Sequence, residues 1–200
     1  PCSLLKHLQS QFILMKLNPN VSIIFIVWLL ALIAVSYFGF LTLPHSGRFS
    51  NDFLKSFSNW DGGYYLGIAE NGYQEKFQYA FFPLYPLIIN LLNNFTNNFL
   101  LSGLLISLVA TFLGLHLLYK LVKIEFDKKI AEKVIFYLLI FPASFFFLTV
   151  YSEGLFFLFV VASFYFLRSR RLFWATFFAA LASATRLAGL AVAAGLLVEV

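Results

Sequence analysis

Apolar stretches of about 20 residues, almost free of charge, are the feature that most constrains the fold of this chain. A helix of about that length is needed to cross the hydrocarbon layer of a bilayer. Of the 200 residues, 61% are hydrophobic and only 12% are charged, whereas roughly a quarter are charged in an ordinary soluble domain. The sequence therefore predicts an all-α, polytopic transmembrane helical bundle.

The apolar stretches and the turns between them predict five membrane spans. Residues 134–167 contain 34 residues with Glu153 as their only charge, about 51 Å as one helix, which is too long for a single crossing. We therefore predict a tight turn at 151–154. The predicted spans are 21–43, 99–122, 134–151, 154–168 and 172–198.

Basic residues predict the orientation of the spans, because short cytoplasmic loops are enriched in lysine and arginine. Ten of the 14 basic residues lie before the first span, between the second and third, or between the fourth and fifth. Residues 44–98 then form a long extracytoplasmic loop. These cytoplasmic loops also explain the net charge of +5, so no nucleic-acid partner is predicted.

Within the outer loop, residues 81–98 are predicted as an amphipathic helix on the outer leaflet, because Pro83 and Pro86 interrupt any span there. Its apolar side would carry Phe81, Phe82, Leu84, Tyr85, Leu87 and Ile88. The chain starts at Pro1 without a methionine and stops at Val200 inside an apolar run. We therefore expect 1–200 to be a single transmembrane domain, the N-terminal part of a longer polypeptide.

Asp61 is the sharpest feature of the outer loop, in the aromatic-rich stretch 59–73. One interpretation is structural: Asp61 caps a helix that runs to about Glu70 and is ended by Gly72. Local sequence favours this interpretation, since capping is the usual role for such an aspartate. The other is functional: the carboxylate handles the proton of a hydroxyl at the membrane surface. Both interpretations stay open.

Two charged residues within the predicted spans and their turns stand out, Glu153 and Arg186. A charge near the bilayer centre costs about 2.5–3.5 kcal/mol on insertion scales. Arg186 lies 14 residues beyond Leu172, roughly 21 Å along the fifth helix, which places it on the Asp61 side. The structural interpretation is an ion pair between the two residues, or snorkelling of Arg186 to the headgroups. The functional interpretation is that both residues share one cavity with Asp61.

Four blocks of residues occur in order along the chain. They are Trp-Asp-x-x-Tyr-Tyr-x-x-Ile-Ala-x-x-Gly-Tyr at 60–73, Ala-Phe-Phe-Pro-Leu-Tyr-Pro at 80–86, Phe-Pro-Ala-Ser at 141–144 with Tyr-Ser-Glu at 151–153, and Ala-Ser-Ala-Thr-Arg-Leu-Ala-Gly at 182–189. Over roughly 20–195 the chain resembles the PIG-V-like mannosyltransferases, which are GT-C type glycosyltransferases. The pair Gly62-Gly63 departs from members that act on the glycolipid anchor of eukaryotic proteins, and it leaves the acceptor open.

The resemblance implies a GT-C bundle that moves a mannose or similar hexose from a polyprenyl- or dolichyl-phosphate donor to a lipid or glycan acceptor, with inversion. The reaction would take place on the extracytoplasmic or lumenal face of the plasma membrane or endoplasmic reticulum. By the same resemblance, Asp61 would be the catalytic base. We predict that the substrate is bound by Trp60, Tyr64, Tyr65, Glu153 and Arg186.

No metal or other cofactor is predicted, because the chain offers no Asp-x-Asp pair, and His45 and His116, two of its three histidines, stand alone. The main alternative is a transporter or flippase for a lipid-linked substrate, in which Glu153 and Arg186 would line a midplane path. A third possibility is a non-catalytic membrane subunit that binds an enzyme.

Overall fold

The computed structural model of the chain describes residues 17–43 and 52–199. These residues form helices and connecting turns, without β-strands. Lys6 and Lys16, the lysines before the first predicted span, and His45 lie outside the described ranges. The helices are α1 Pro19–Thr42, α2 Phe53–Ser56, α3 Asp61–Asn71, α4 Leu84–Thr96, α5 Phe99–Val122, α6 Lys128–Ile140, α7 Glu153–Arg168, α8 Leu172–Thr185 and α9 Gly189–Glu199, with 3₁₀-helices at Lys76–Ala80 and Pro142–Phe147.

One end of the structure, which we call the lysine end, gathers the start of α1, the end of α5, the start of α6 and the end of α7. The side-chain amide of Asn20 in α1 donates to Oε1 of Glu132 in α6 at 2.6 Å. Arg168, the last residue of α7, forms an ion pair of 2.5 Å with Glu125, just after α5. The helices α1, α5, α6, α7 and α8 therefore run alternately toward and away from this end.

The opposite end, which we call the Asp61 end, contains α3, α4 and the turn before α7. The hydroxyl of Tyr151, in that turn, donates to the carbonyl oxygen of Asn59, just before α3, at 3.1 Å. Arg186, which follows α8, forms an ion pair with Glu153 at the start of α7. The side chains predicted to form the site therefore lie at the end opposite the lysines, in agreement with the charge pattern of the sequence.

Two helices, α1 and α5, are long and apolar enough to cross a membrane. Each has 24 residues, about 36 Å of helix. The buried residues of α1 are Val21, Phe25 and Trp28, all in its first half. Elsewhere α1 exposes large apolar side chains, which is expected of a helix surrounded by lipid. Crossing by the shorter helices α6, α7 and α8 stays a prediction.

Helices α5 and α7 pack closely because small residues lie between them. A Cβ on Gly154 would lie 2.6 Å from Oγ1 of Thr111 and 2.7 Å from the carbonyl oxygen of Ser107. The Ser107 hydroxyl also contacts the Tyr85 hydroxyl at 2.7 Å and donates to the carbonyl oxygen of Tyr151 at 3.1 Å. Small residues and buried hydroxyls are the usual contacts between membrane helices. This packing fixes the start of α7, and with it Glu153, against α5.

Within the stretch 81–98, predicted as an amphipathic helix, α4 spans Leu84–Thr96, with Pro83 at the N-cap position. Phe81 and Phe82 of the predicted apolar side precede α4, and Tyr85 is fully buried against Ser107 of α5 instead of facing outward. Asn97 ends α4 in the left-handed conformation (φ 50°, ψ 30°), which asparagine tolerates better than most residues. The Asn98 side chain then caps α5 by accepting from the backbone N–H of Leu101 at 3.0 Å. The position of α4 on the outer leaflet stays a prediction. Its exposed apolar residues are Leu87, Leu91 and Phe95.

The stretch 134–151, predicted as a single span, is not one continuous helix. Helix α6 ends at Ile140, and a 3₁₀-helix follows from Pro142. Proline has no N–H to donate and disfavours the helical conformation of the residue before it. Phe141 accordingly adopts φ −61° and ψ 133°. The predicted turn before Glu153 is present, with Ser152 at the N-cap position of α7.

The stretch 172–198 is also interrupted, and the interruption lies at Arg186. Helix α8 ends at Thr185, Arg186 is extended, and α9 begins at Gly189. Gly189 comes so close to the backbone of Ala182 and Ser183 that no Cβ fits there. Arg186 was predicted inside a continuous fifth helix, and that prediction is wrong. The break turns its side chain toward the start of α7.

Candidate active site

Asp61 is the first residue of α3, and its side chain is exposed. The helix runs to Asn71 and is followed by Gly72, close to the bounds that the capping interpretation predicted. The N-cap position, however, is occupied by Trp60, so Asp61 is not the cap. A carboxylate in the first turn still interacts favourably with the helix dipole. No hydrogen bond or ion pair of the Asp61 carboxylate is found within residues 17–43 and 52–199.

Trp60 has a positive φ, which is unusual for a non-glycine residue, with φ 53° and ψ −119°. Such conformations cost of order 1–3 kcal/mol and are concentrated at functional sites. The Trp60 indole is 66% exposed, and Tyr64 one turn later is 43% exposed. Tyr64 packs against the rings of Phe77 and Phe81. Trp60 and Tyr64, two of the three predicted substrate-binding aromatics, are therefore exposed beside Asp61.

The segment around Asp61 is held in place by the turn that precedes α7. The backbone N–H of Val150 donates to the carbonyl oxygen of Phe57 at 2.9 Å. A Cβ on Gly62 would lie 3.1 Å from the carbonyl oxygen of Val150 and 3.3 Å from Cβ of Ser58. This close approach explains why glycine directly follows Asp61. The start of α3 is thereby attached to the same turn that leads into Glu153.

Tyr65, one helical turn after Asp61, connects α3 to Glu153 and Arg186 through Ser152. The Tyr65 hydroxyl lies 2.9 Å from Oγ of Ser152, which is fully buried. Nη1 of Arg186 donates to the same Ser152 oxygen at 3.4 Å and also to Oε1 of Glu153. Tyr65 and Arg186 thus meet at one buried hydroxyl, and Arg186 links Glu153 to it.

Burial and the charges of Asp61, Glu153 and Arg186 all influence the pKa of Tyr65. Burial raises the pKa of Tyr65, and the hydrogen bond with Ser152 opposes that effect. The Glu153 charge raises the pKa further, the Arg186 charge lowers it, and the Asp61 charge raises it. All three predicted charged groups therefore act on one hydroxyl. Asp61 makes no direct contact with the other two among the described side chains.

The ion pair between Glu153 and Arg186 leaves hydrogen-bonding capacity unused. Oε2 of Glu153 is buried and has no hydrogen-bond partner. The Arg186 side chain is 39% exposed, and its only hydrogen bonds within the described residues come from Nη1. A buried carboxylate oxygen without a donor is costly, so it is a position where a ligand hydroxyl or a water molecule would bind. The remaining guanidinium N–H groups suit an anion.

A pocket of about 130 Å³ lies beside Trp60, between the second half of α1 and the turn before α7. Its lining includes Ser36, Asn59, Phe145 and Tyr151. The contacts made by Ser152, Tyr151 and Gly62 were not predicted from the sequence. Ser152 and Tyr151 lie within the Tyr-Ser-Glu block, which was the one sequence signal for them.

Comparison with known proteins gives one family. The family model described as Mannosyltransferase (PIG-V) matches residues 41–199, about four fifths of the chain. No curated protein and no solved structure matches the chain. The matched region contains α3, the turn at 148–152, Glu153 and Arg186, so the family match and the site coincide. The chain therefore belongs to the PIG-V family of mannosyltransferases, which makes it a glycosyltransferase.

Proposed function

We propose that this chain carries the catalytic site of a multi-pass membrane enzyme that transfers mannose, or a similar hexose, from a polyprenyl- or dolichyl-phosphate donor. The acceptor would be a hydroxyl of a lipid or glycan on the extracytoplasmic or lumenal face. The observation that carries the proposal is the arrangement of Glu153, Arg186, Ser152 and Tyr65 next to the exposed Asp61. Family membership supplies the reaction class.

In the proposed reaction, the acceptor oxygen attacks the anomeric carbon of the donor sugar. The bond from that carbon to the phosphate oxygen breaks, its electron pair leaves on the lipid phosphate, and the hydroxyl proton passes to Asp61. Asp61 suits the role of base because it is exposed and unpaired among the described residues. A single direct displacement inverts the anomeric centre.

Arg186 would bind the phosphate that leaves with the lipid. Negative charge grows on this phosphate as the bond breaks, and a fixed guanidinium lowers the free energy of that transition state. Its contacts with Ser152 and Glu153 hold Nη1 in place and leave other N–H groups for the phosphate oxygens. Oε2 of Glu153 would accept a hydrogen bond from a sugar hydroxyl.

Two observations support a lipid-linked donor over a nucleotide sugar. The site lies at one end of long apolar helices, within reach of a substrate that diffuses in the bilayer. It also offers a single arginine for one phosphate, and no group of three His, Cys, Asp or Glu residues that could hold a metal is found in 17–43 and 52–199. Nucleotide diphosphates are commonly bound through a divalent ion. The transporter alternative lacks support from the family match.

The test is a transfer assay with the purified full chain, polyprenyl-phosphate mannose and membrane lipid extract, in buffer containing EDTA. We expect mannose to appear in the lipid or glycan fraction, with the anomeric configuration inverted relative to the donor. The matched control replaces the donor with GDP-mannose, from which no transfer is expected. The proposal is wrong if only the nucleotide donor is used, or if EDTA abolishes transfer and magnesium or manganese restores it.

A further inference from the structure

The lysine end of the structure contains a second cavity, of about 580 Å³, far from the turn that holds Glu153. It lies where the start of α1 meets the last turns of α5 and α7. The polar groups that line it include Asn18, Tyr119, Lys120, Lys123, Tyr165 and Ser169. Its volume is within the range of small-molecule sites, about 300–1,000 Å³. No part of the proposed reaction uses this cavity.

Lys120 and Lys123 give the cavity a positive charge that the protein itself does not neutralise. Neither lysine forms an ion pair among the side chains that the structure describes. The stretches 1–16 and 44–51 contain no Asp or Glu, so they supply no carboxylate either. Within residues 1–200, a counter-charge can therefore come only from the few acidic residues nearby, and otherwise from a bound anion.

The nearby acidic residues are already engaged. Glu125 pairs with Arg168 at 2.5 Å, and Glu132 accepts from Asn20 and pairs with Lys128. Asp127 caps α6 by accepting from a backbone N–H at 2.8 Å. The two cavity lysines are thus left for an external anion.

The positions of the cavity side chains suit a phosphate group. Lys120 lies in the last turn of α5, and Lys123 follows the end of that helix in a helical conformation, so the two residues, three positions apart, extend from the same side. Nζ of Lys123 lies 5.7 Å from the ring centre of Tyr119, a cation–π contact that limits where the amine can go. The hydroxyls of Tyr119 and Tyr165 have no hydrogen-bond partner within the described residues. Two ammonium groups and two phenols can together donate to several phosphate oxygens.

We propose that this cavity binds the phosphate of an anionic membrane lipid. The apolar side chains at its rim, Leu17 and Ile124, are 48% and 49% exposed, and they offer a surface for acyl chains. The cavity also lies at the ends of α1 and α5, where the headgroups of a bilayer crossed by these helices would be. If Lys120 and Lys123 served only to orient the protein in the membrane, they would not need to line one cavity together with the phenols of Tyr119 and Tyr165. The shared chemistry is a phosphate group, and a soluble phosphate ester is the competing source.

The test measures lipid bound to the purified full chain after transfer from nanodiscs of phosphatidylcholine containing a minor fraction of phosphatidylglycerol. We expect native mass spectrometry to find phosphatidylglycerol bound preferentially to the wild type. The variant Lys120→Gln/Lys123→Gln should bind it roughly tenfold less or worse, because it lacks both charges. The control Lys129→Gln/Lys133→Gln removes the same charge from the same end, outside the cavity, and should bind as the wild type does.

Two further measurements keep the result interpretable. The variant Lys120→Arg/Lys123→Arg retains the charge and should retain the lipid, which excludes misfolding as the cause of the loss. Inorganic phosphate is added to protein in pure phosphatidylcholine, and we expect no rise in its melting temperature. A rise with phosphate but no retained phosphatidylglycerol would overturn the assignment to a lipid. Equal loss in both Lys→Gln pairs would overturn the site itself, because it would indicate a diffuse charge effect.

Discussion

The substitution Asp61→Asn is expected to reduce mannosyl transfer by about 10²- to 10⁴-fold, the range attributed to general base catalysis. Asparagine has nearly the same shape but cannot accept the proton of the attacking hydroxyl. Stability should fall by less than about 1 kcal/mol, because the exposed carboxylate makes no contact among the described residues beyond its favourable place in the first turn of α3. The measurements are initial rates with polyprenyl-phosphate mannose and thermal unfolding of the purified protein.

The matched control is Glu70→Gln, which removes one exposed negative charge from the same helix. Its transfer rate should stay close to that of the wild type. If Asp61→Asn is as active as Glu70→Gln, Asp61 is not the base, and its role is limited to the first turn of α3. If Asp61→Asn lost both activity and membrane insertion, the unfolding measurement would show whether misfolding or the missing base causes the loss of activity.

The substitution Arg186→Gln should lower transfer by roughly 10²- to 10³-fold, the effect of removing one donor that stabilises charge in a transition state. It should also lower the free energy of unfolding by about 1–3 kcal/mol, because both carboxylate oxygens of Glu153 then lack a charged partner. Partial exposure of the pair, 39% and 28%, keeps this cost below that of a fully buried ion pair. The control Arg168→Gln breaks the exposed pair with Glu125 and should leave transfer unchanged.

A double variant separates a structural from a functional role for Arg186. Glu153→Gln/Arg186→Gln removes both charges, so the uncompensated carboxylate is gone and much of the lost stability should return. Transfer should not return, because the leaving phosphate still lacks its cation. Recovery of both stability and transfer would indicate that the ion pair serves only to join α7 to the end of α8.

The sequence predicted the helical class, the start of α7 and the extent of α3 because these depend on local signals. A short window of sequence is enough to recognise the long apolar stretches, the polar turn at 151–154, and the Gly72 that follows a helix beginning with aspartate. Local sequence did not predict that Asp61 would be the first residue of α3 and not its cap. Trp60 adopts a positive φ and occupies the cap position, and no propensity of tryptophan predicts that conformation.

The break at Arg186 could not be predicted from local sequence, because Ala-Ser-Ala-Thr-Arg-Leu-Ala is compatible with a continuous apolar helix. The break depends on tertiary contacts, in which Arg186 reaches Ser152 and Glu153 on another helix. Gly189 was the available signal, since only glycine allows the backbone to return so close to Ala182. The consequence for function is direct, because an extended Arg186 is free of the helical geometry that would have fixed its direction.

Ser152 was also missed, for a related reason. A serine between apolar spans carries no charge and forms no recognisable pattern, so its importance appears only when its neighbours are known. It is fully buried, and it joins Tyr65 in α3 to Arg186 after α8. The residue pairs at this site are separated by 34 and 87 positions in the chain, beyond the reach of periodicity.

The proposed location of the Asp61 end outside the cytoplasm can be tested directly by cysteine labelling. Cys2 is the only cysteine, so Cys2→Ser gives a cysteine-free background. Into it we would introduce Glu70→Cys on α3 or Lys129→Cys on α6, both exposed positions. We expect a membrane-impermeant maleimide to label Glu70→Cys in intact cells, or in sealed vesicles whose lumenal face points outward. Lys129→Cys should be labelled only after permeabilisation. The reverse pattern would contradict transfer on the extracytoplasmic face and the roles proposed there for Asp61, Glu153 and Arg186.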